Sequence, residues 1–242
     1  MSIMPAVLFG VVAAAANLLG AVAVARSARL GLRVIEGFVA FAAGFMLALA
    51  LVAAVPEALR RDAATAAPVI LLGYLLVHLS QHTLTPHFHF GEETHPVSER
   101  ASSAALVGLL LHTFFDGVAI ASGFLVSPSL GVLFFVAIFL HKFPEGVTVS
   151  SLVIASGGTT RRGYFAAALL GGATILGVLV TAWAGVLQEY GLALSAGVTI
   201  YVGASTLVPE FQGKTGWMLP AAFFAGAGAF LLAHGLLERA LG

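Results

Sequence analysis

The chain alternates long apolar runs with short polar breaks. An apolar run of roughly 20 residues has the length at which a helix crosses the hydrocarbon core of a bilayer. Eight such runs occur, at about residues 4–24, 34–56, 67–84, 103–125, 130–154, 163–187, 191–209 and 217–238. The only long polar stretch is Thr85–Ser102, between the third and fourth runs. The pattern predicts an all-α polytopic membrane protein: eight transmembrane helices forming one transport-sized domain, with no separate soluble domain.

Composition agrees. Hydrophobic residues make up 60% of the 242 positions and charged residues 9%, where a soluble domain is nearer a quarter charged. The polar residues are too few to cover a soluble globule, so the lipid bilayer is the partner for most of the surface. A net charge of zero argues against nucleic acid as a partner. With no cysteine, thiolate metal sites, disulfides and cysteine nucleophiles are excluded. The small residues of Ala21–Ala28 look like a signal-cleavage region, but no positive charge precedes the first run, which therefore reads as a retained helix.

Charge in the loops sets an expected orientation. Arg26, Arg29, Arg33, Arg100, Arg161, Arg162 and Lys214 fall on one side, against Arg60, Arg61 and Arg239 on the other. That bias places both termini outside a plasma membrane (the inner membrane of a bacterium) and loop 85–102 in the cytosol. The sequence also repeats itself. Gly44 to Glu57 reads GFMLALALVAAVPE and Gly197 to Glu210 reads GVTIYVGASTLVPE, with Gly and Val-Pro-Glu at equal offsets. The two copies cross in opposite directions, which suggests an inverted-repeat helix bundle of the kind that exposes one site alternately.

The chemistry concentrates in the fourth and fifth runs. The fourth holds His112 and Asp116 followed by Gly117; the fifth holds His141 and Glu145 followed by Gly146. A spacing of four puts each His and carboxylate on one helix face. The short connection Val126–Leu130 makes the two helices antiparallel neighbours, so inward faces would gather two imidazoles and two carboxylates at mid-membrane depth, between helices 4 and 5. An ionised group there costs at least ~2.5–3.5 kcal/mol, and a bound divalent cation offsets much of it. The N/O donor set suits zinc, and also cadmium, iron or manganese. Pro144 leaves the Leu140 carbonyl without its helical donor, and Gly117 and Gly146 permit close packing. The bland alternative is a pair of His–carboxylate contacts that glue two helices together.

At these residues the sequence resembles the ZIP (Zrt/Irt-like) family of divalent metal transporters. That family's motifs are close to HNxxDG or HNxPEG on the fourth helix and HExPEG or QDxPEG on the fifth; this chain reads HTFFDG and HKFPEG. Gly44 with Met46, Pro56 and Glu57, and Tyr201 through Pro209 and Glu210, are also family-like. The resemblance implies eight spans, both termini outside and metal movement toward the cytosol by one helix bundle sliding against another. It implies His112, Asp116, His141 and Glu145 as ligands with Met46 nearby, and a homodimer. Many members hold a second metal through the residue after each motif's first position and an acid on the sixth helix. Here those motif positions are Thr113 and Lys142, and the sixth run has no acid. The expectation is a single-metal site in which Lys142 replaces the second ion and pairs with Asp116 or Glu145 when the metal has left.

Other residues suggest a pathway. His78 and His82 end the third run, and His87, His89, Glu92, Glu93 and His95 follow in the loop. Glu57 at the outer end of the second run and Glu210 at the inner end of the seventh are candidate entrance and exit groups, or interfacial caps. His234 reads as structural. No cofactor is expected beyond the transported ion. An intramembrane zinc hydrolase is a rival reading, although HExxH and GxSxG are both absent. The other rival is a proton pathway through the His and carboxylate relay. The expectation is a transporter and not an enzyme.

Overall fold

A computed structural model describes residues 3–26, 32–83 and 99–241, with the side chains of residues 32, 82, 83, 99–101 and 241 left undescribed. His82 as a pathway candidate and the histidines and acids of loop 85–95 thus lie outside the described side chains. All the regular elements among the described residues are helices: α1 Met4–Ala25, α2 Leu32–Ala48, α3 Val55–His78, α4 Glu99–Val126, α5 Pro128–Ala155, α6 Thr160–Trp183, α7 Gly185–Tyr201 and α8 Met218–Leu241. Seven described helices are long and apolar enough to cross a membrane. The chain is a multi-pass membrane protein.

One of the seven takes in Arg33–Gln81, 49 residues. At 1.5 Å per residue that is about 73 Å, more than twice a bilayer's apolar thickness. It is broken at Asp62, where φ −158° and ψ 95° leave the helical region. Asp62 caps the helix that restarts there, its Oδ1 accepting from the amides of Ala64 (3.1 Å) and Thr65 (3.4 Å). Hydrogen bonds from Thr65, through side chain and backbone, and from the Ala64 amide hold this carboxyl below its ordinary value. The break falls inside the gap that the apolar pattern leaves between residues 56 and 67.

Between α6 and α7 the expected boundaries differ from the structure. Hydropathy runs on to residue 187, but α6 ends at Trp183 and α7 begins at Gly185. The turn is a single residue, Ala184, at φ −90° and ψ 104°. Gln188 Nε2 donates to the Ala182 carbonyl at 2.7 Å, satisfying one of the last free acceptors of α6. Apolar Val186 and Leu187 hide such a turn from any hydropathy window.

The helices pack as four pairs: α1 on α5, α2 on α8, α3 on α7 and α4 on α6. Each pair has a glycine on both members, set against the partner's backbone. Gly20 and Gly146 do this in α1 and α5, Gly44 and Gly226 in α2 and α8, Gly73 and Gly197 in α3 and α7, Gly117 and Gly177 in α4 and α6. A Cβ at any of the eight would strike a backbone carbonyl of the facing helix. Dispersion and close backbone approach, rather than water exclusion, hold helices together in lipid, and small residues allow both. Gly117 and Gly146 thus permit close packing as their sequence context suggests, but against α6 and α1 and not against each other. The pairs assemble into two groups, α1, α4, α5 and α6 on one side and α2, α3, α7 and α8 on the other.

Two of the π-helical turns in the second group each precede a proline, Leu49–Ala54 ahead of Pro56 and Val202–Leu207 ahead of Pro209. A proline supplies no amide to the preceding turn and crowds its carbonyl, and a widened turn accommodates both.

Candidate metal centre

The turn between α4 and α5 fixes the two site helices against each other. Val126 ends α4, Ser127 caps α5 by accepting from Leu130 N at 3.2 Å, and Pro128 opens it. With a one-residue turn the helices must run antiparallel and adjacent, and the two motif faces meet. His112, Asp116 and His141 each offer a ligand atom within 4.8 Å of one another, and all three are buried. The two imidazole rings lie 5.5 Å apart.

Asp116 is the hub. Its Oδ2 is 3.4 Å from His112 Nε2, 3.3 Å from His141 Nε2 and 2.6 Å from Lys142 Nζ. His141 Nδ1 sits 3.0 Å from the Ala137 carbonyl. A carbonyl only accepts, so Nδ1 carries the hydrogen and, in the neutral ring, Nε2 keeps its lone pair toward Asp116. A lone pair facing a carboxylate oxygen is repulsive unless a cation or proton lies between them. Holding the remote nitrogen on a backbone carbonyl is the usual way a protein aims a metal-binding imidazole.

Lys142 is fully buried. Its Nζ bridges Asp116 on α4 and Glu145 Oε2 on its own helix at 2.8 Å. Glu145 is therefore beside the three-residue group, joined to it through Lys142; its second oxygen, Oε1, is buried with no hydrogen-bond partner among the described residues. Thr113 is turned back on its own helix, its Oγ1 donating to the Leu109 carbonyl at 2.6 Å and to that of Leu110 at 3.1 Å. Met46 on α2 is buried in the main apolar core.

One residue of this cluster escapes the sequence reading. Asn17 on α1 is fully buried. With its amide nitrogen turned to the acceptors, it donates to Glu145 Oε2 at 3.3 Å and to the Lys142 carbonyl. The signal was present, since Asn17 is the one polar side chain in Met4–Ala25. A lone polar residue in a membrane helix faces the bundle interior.

The pathway candidates are scattered. Glu57 is held by Arg60 at 2.9 Å and Arg61 at 3.3 Å. All three line a cleft of about 450 Å³ together with His234 and Glu238. His234 stacks on Phe230 at 5.4 Å, and its Nε2 lies 3.4 Å from Glu238. His78 packs between Tyr74 and Tyr201, 6.5 and 5.8 Å from their rings. Beside it Tyr74 shares a hydrogen bond with Ser205, and Thr206 donates to Gln81. Glu210 is buried in the 3₁₀ turn Val208–Glu210.

A family model described as ZIP zinc transporter matches residues 79–233. Zinc transporter GufA of Myxococcus xanthus is 31% identical over 150 residues, which is 58% of this chain and 58% of that protein. Zinc transporter ZIP9-B of Xenopus laevis is 29% identical over 159 residues, 60% of this chain and 52% of the relative. The human zinc transporter ZIP6 is 29% identical over 136 residues, 52% of this chain and 18% of the relative. The chain thus spans little more than half the length of the first two proteins and less of the third.

Proposed function

The chain belongs to the ZIP zinc transporter family, and on that premise we propose that it carries divalent metal ions, zinc first, across the membrane toward the cytosol. One observation carries the proposal: donor atoms of His112, Asp116 and His141, from two membrane helices, converge within 4.8 Å in a buried place. Two imidazoles and a carboxylate suit zinc, with cadmium, iron and manganese as the nearest competitors. Glu145 is the proposed fourth donor, through the oxygen that Lys142 does not hold.

Eight crossings, both termini outside and loop 85–102 in the cytosol complete the proposal. The break at Asp62, which divides a helix too long for one crossing, supports the eighth. An inverted repeat is supported by Gly44 with Gly197 and Gly73 with Gly226, both pairs 153 residues apart. The π turns beginning at Leu49 and Val202 share that spacing. Alternating access would move the α1, α4, α5 and α6 group, which holds the site, against the other four helices. Uptake into protein-containing vesicles, measured for zinc, cadmium, iron and manganese against protein-free vesicles, tests the proposal. Saturable zinc entry supports it; entry of no metal above the protein-free rate overturns it.

A further inference from the structure

Lys142 bridges both carboxylates of the site while being fully buried itself. We infer that Lys142 is a tethered counter-ion that lets the empty site return across the membrane without an exchanged cation, so that transport is uniport; this rests on the transport reading above. With neutral histidines, Asp116, Glu145 and Lys142 give the empty site a formal charge of minus one. A divalent metal brings it to plus one. Without the lysine the same states carry minus two and zero. The cost of holding charge in a low-dielectric medium rises with its square. The lysine therefore equalises the two legs of the cycle, whereas its absence would make the loaded leg easy and the empty leg four times as costly in this respect.

The geometry supplies the handover. Metal entering between His112, Asp116 and His141 takes the Asp116 oxygen that Lys142 holds at 2.6 Å. The ammonium keeps Glu145 at 2.8 Å, one turn along its own helix, and so is never left unpaired. Asn17, donating to the same Glu145 oxygen, fixes the carboxylate that receives it. When metal leaves, Asp116 regains the lysine.

The test compares two modes in vesicles. Net uptake of labelled zinc into a metal-free lumen needs the empty leg, whereas exchange of labelled for unlabelled zinc uses the loaded leg alone. The unmodified protein should show net uptake at a rate within roughly tenfold of exchange, the factor given by about 1.4 kcal/mol of barrier. In Lys142→Met the ratio of exchange to net uptake should rise by more than roughly tenfold. Lys142→Met with Glu145→Gln, which restores charges of minus one and plus one, should bring the ratio back. Exchange in the unmodified protein with net uptake only when the lumen holds a counter-transported cation would overturn the inference, as would an unchanged ratio in Lys142→Met. These results differ from loss of both modes in the unmodified protein, which would remove the transport reading itself. Should neither variant insert, the comparison on the unmodified protein decides alone.

Discussion

Asp116 on α4 and His141 on α5 meet through one carboxylate oxygen and one ring nitrogen, 3.3 Å apart and sealed from solvent. The nitrogen's partner across the ring is committed to the Ala137 carbonyl, so the contact is a gap suited to a cation. Asp116→Asn keeps the shape and removes the charge. It should weaken zinc binding by at least ~100-fold, the upper end of what losing a mere outer partner costs. Calorimetric titration of purified protein with zinc measures this; an unchanged affinity would place the metal elsewhere.

Asn17→Leu should impair transport although the residue contributes no metal ligand. It removes the only donor that α1 offers to Glu145 Oε2, and losing a buried hydrogen bond to a charged group costs about 1–3 kcal/mol. Zinc flux should fall several-fold while Asn17→Gln retains part of it. Equal flux in Asn17→Leu and the unmodified protein would show that the contact is packing alone.

The glycine pairs predict a contrast within single helices. In α8 a Cβ at Gly226 meets the Phe41 carbonyl, whereas one at Gly228 meets nothing within 4 Å. In α6 Gly177 faces the Phe114 carbonyl, whereas Gly172 faces open space. Gly226→Ala and Gly177→Ala should destabilise by about 1–3 kcal/mol, the cost of forcing packed elements apart. Gly228→Ala and Gly172→Ala should cost nothing measurable. Thermal unfolding in one detergent compares all four, and equal midpoints would deny the close helix approach.

How much of this was legible beforehand varies by element. Crossing helices announce themselves because lipid demands apolar side chains all round, and the break near residue 62 follows from Arg60, Arg61 and Asp62 interrupting the run. The site was legible because a His with a carboxylate four residues on is expensive in a membrane without a purpose. Asn17 was passed over because a single amide in a helix of small residues leaves no periodic trace; only its depth and its neighbour Gly146 give it a role. The pairing of Glu57 with Arg60 and Arg61 was readable from spacings of three and four. The turn at Ala184 has no hydropathic signature. The π turns depend on how the chain accommodates Pro56 and Pro209, which composition does not reveal.

Topology is testable directly because the chain has no cysteine. A single cysteine in loop 85–98 should resist an impermeant thiol reagent in intact cells and react after permeabilisation. A cysteine at Ala63, beside the break, should react in intact cells. The reverse pattern would invert the proposed orientation.

The most direct test of the central claim is zinc flux by a double variant, His112→Ala with His141→Ala, reconstituted beside the unmodified protein at matched density. It deletes both nitrogen donors and leaves Asp116, Lys142 and Glu145 with their own ion pairs, so the protein should still insert and fold. Flux should drop to that of protein-free vesicles; flux equal to the unmodified protein's would mean that metal does not pass through the seat between α4 and α5.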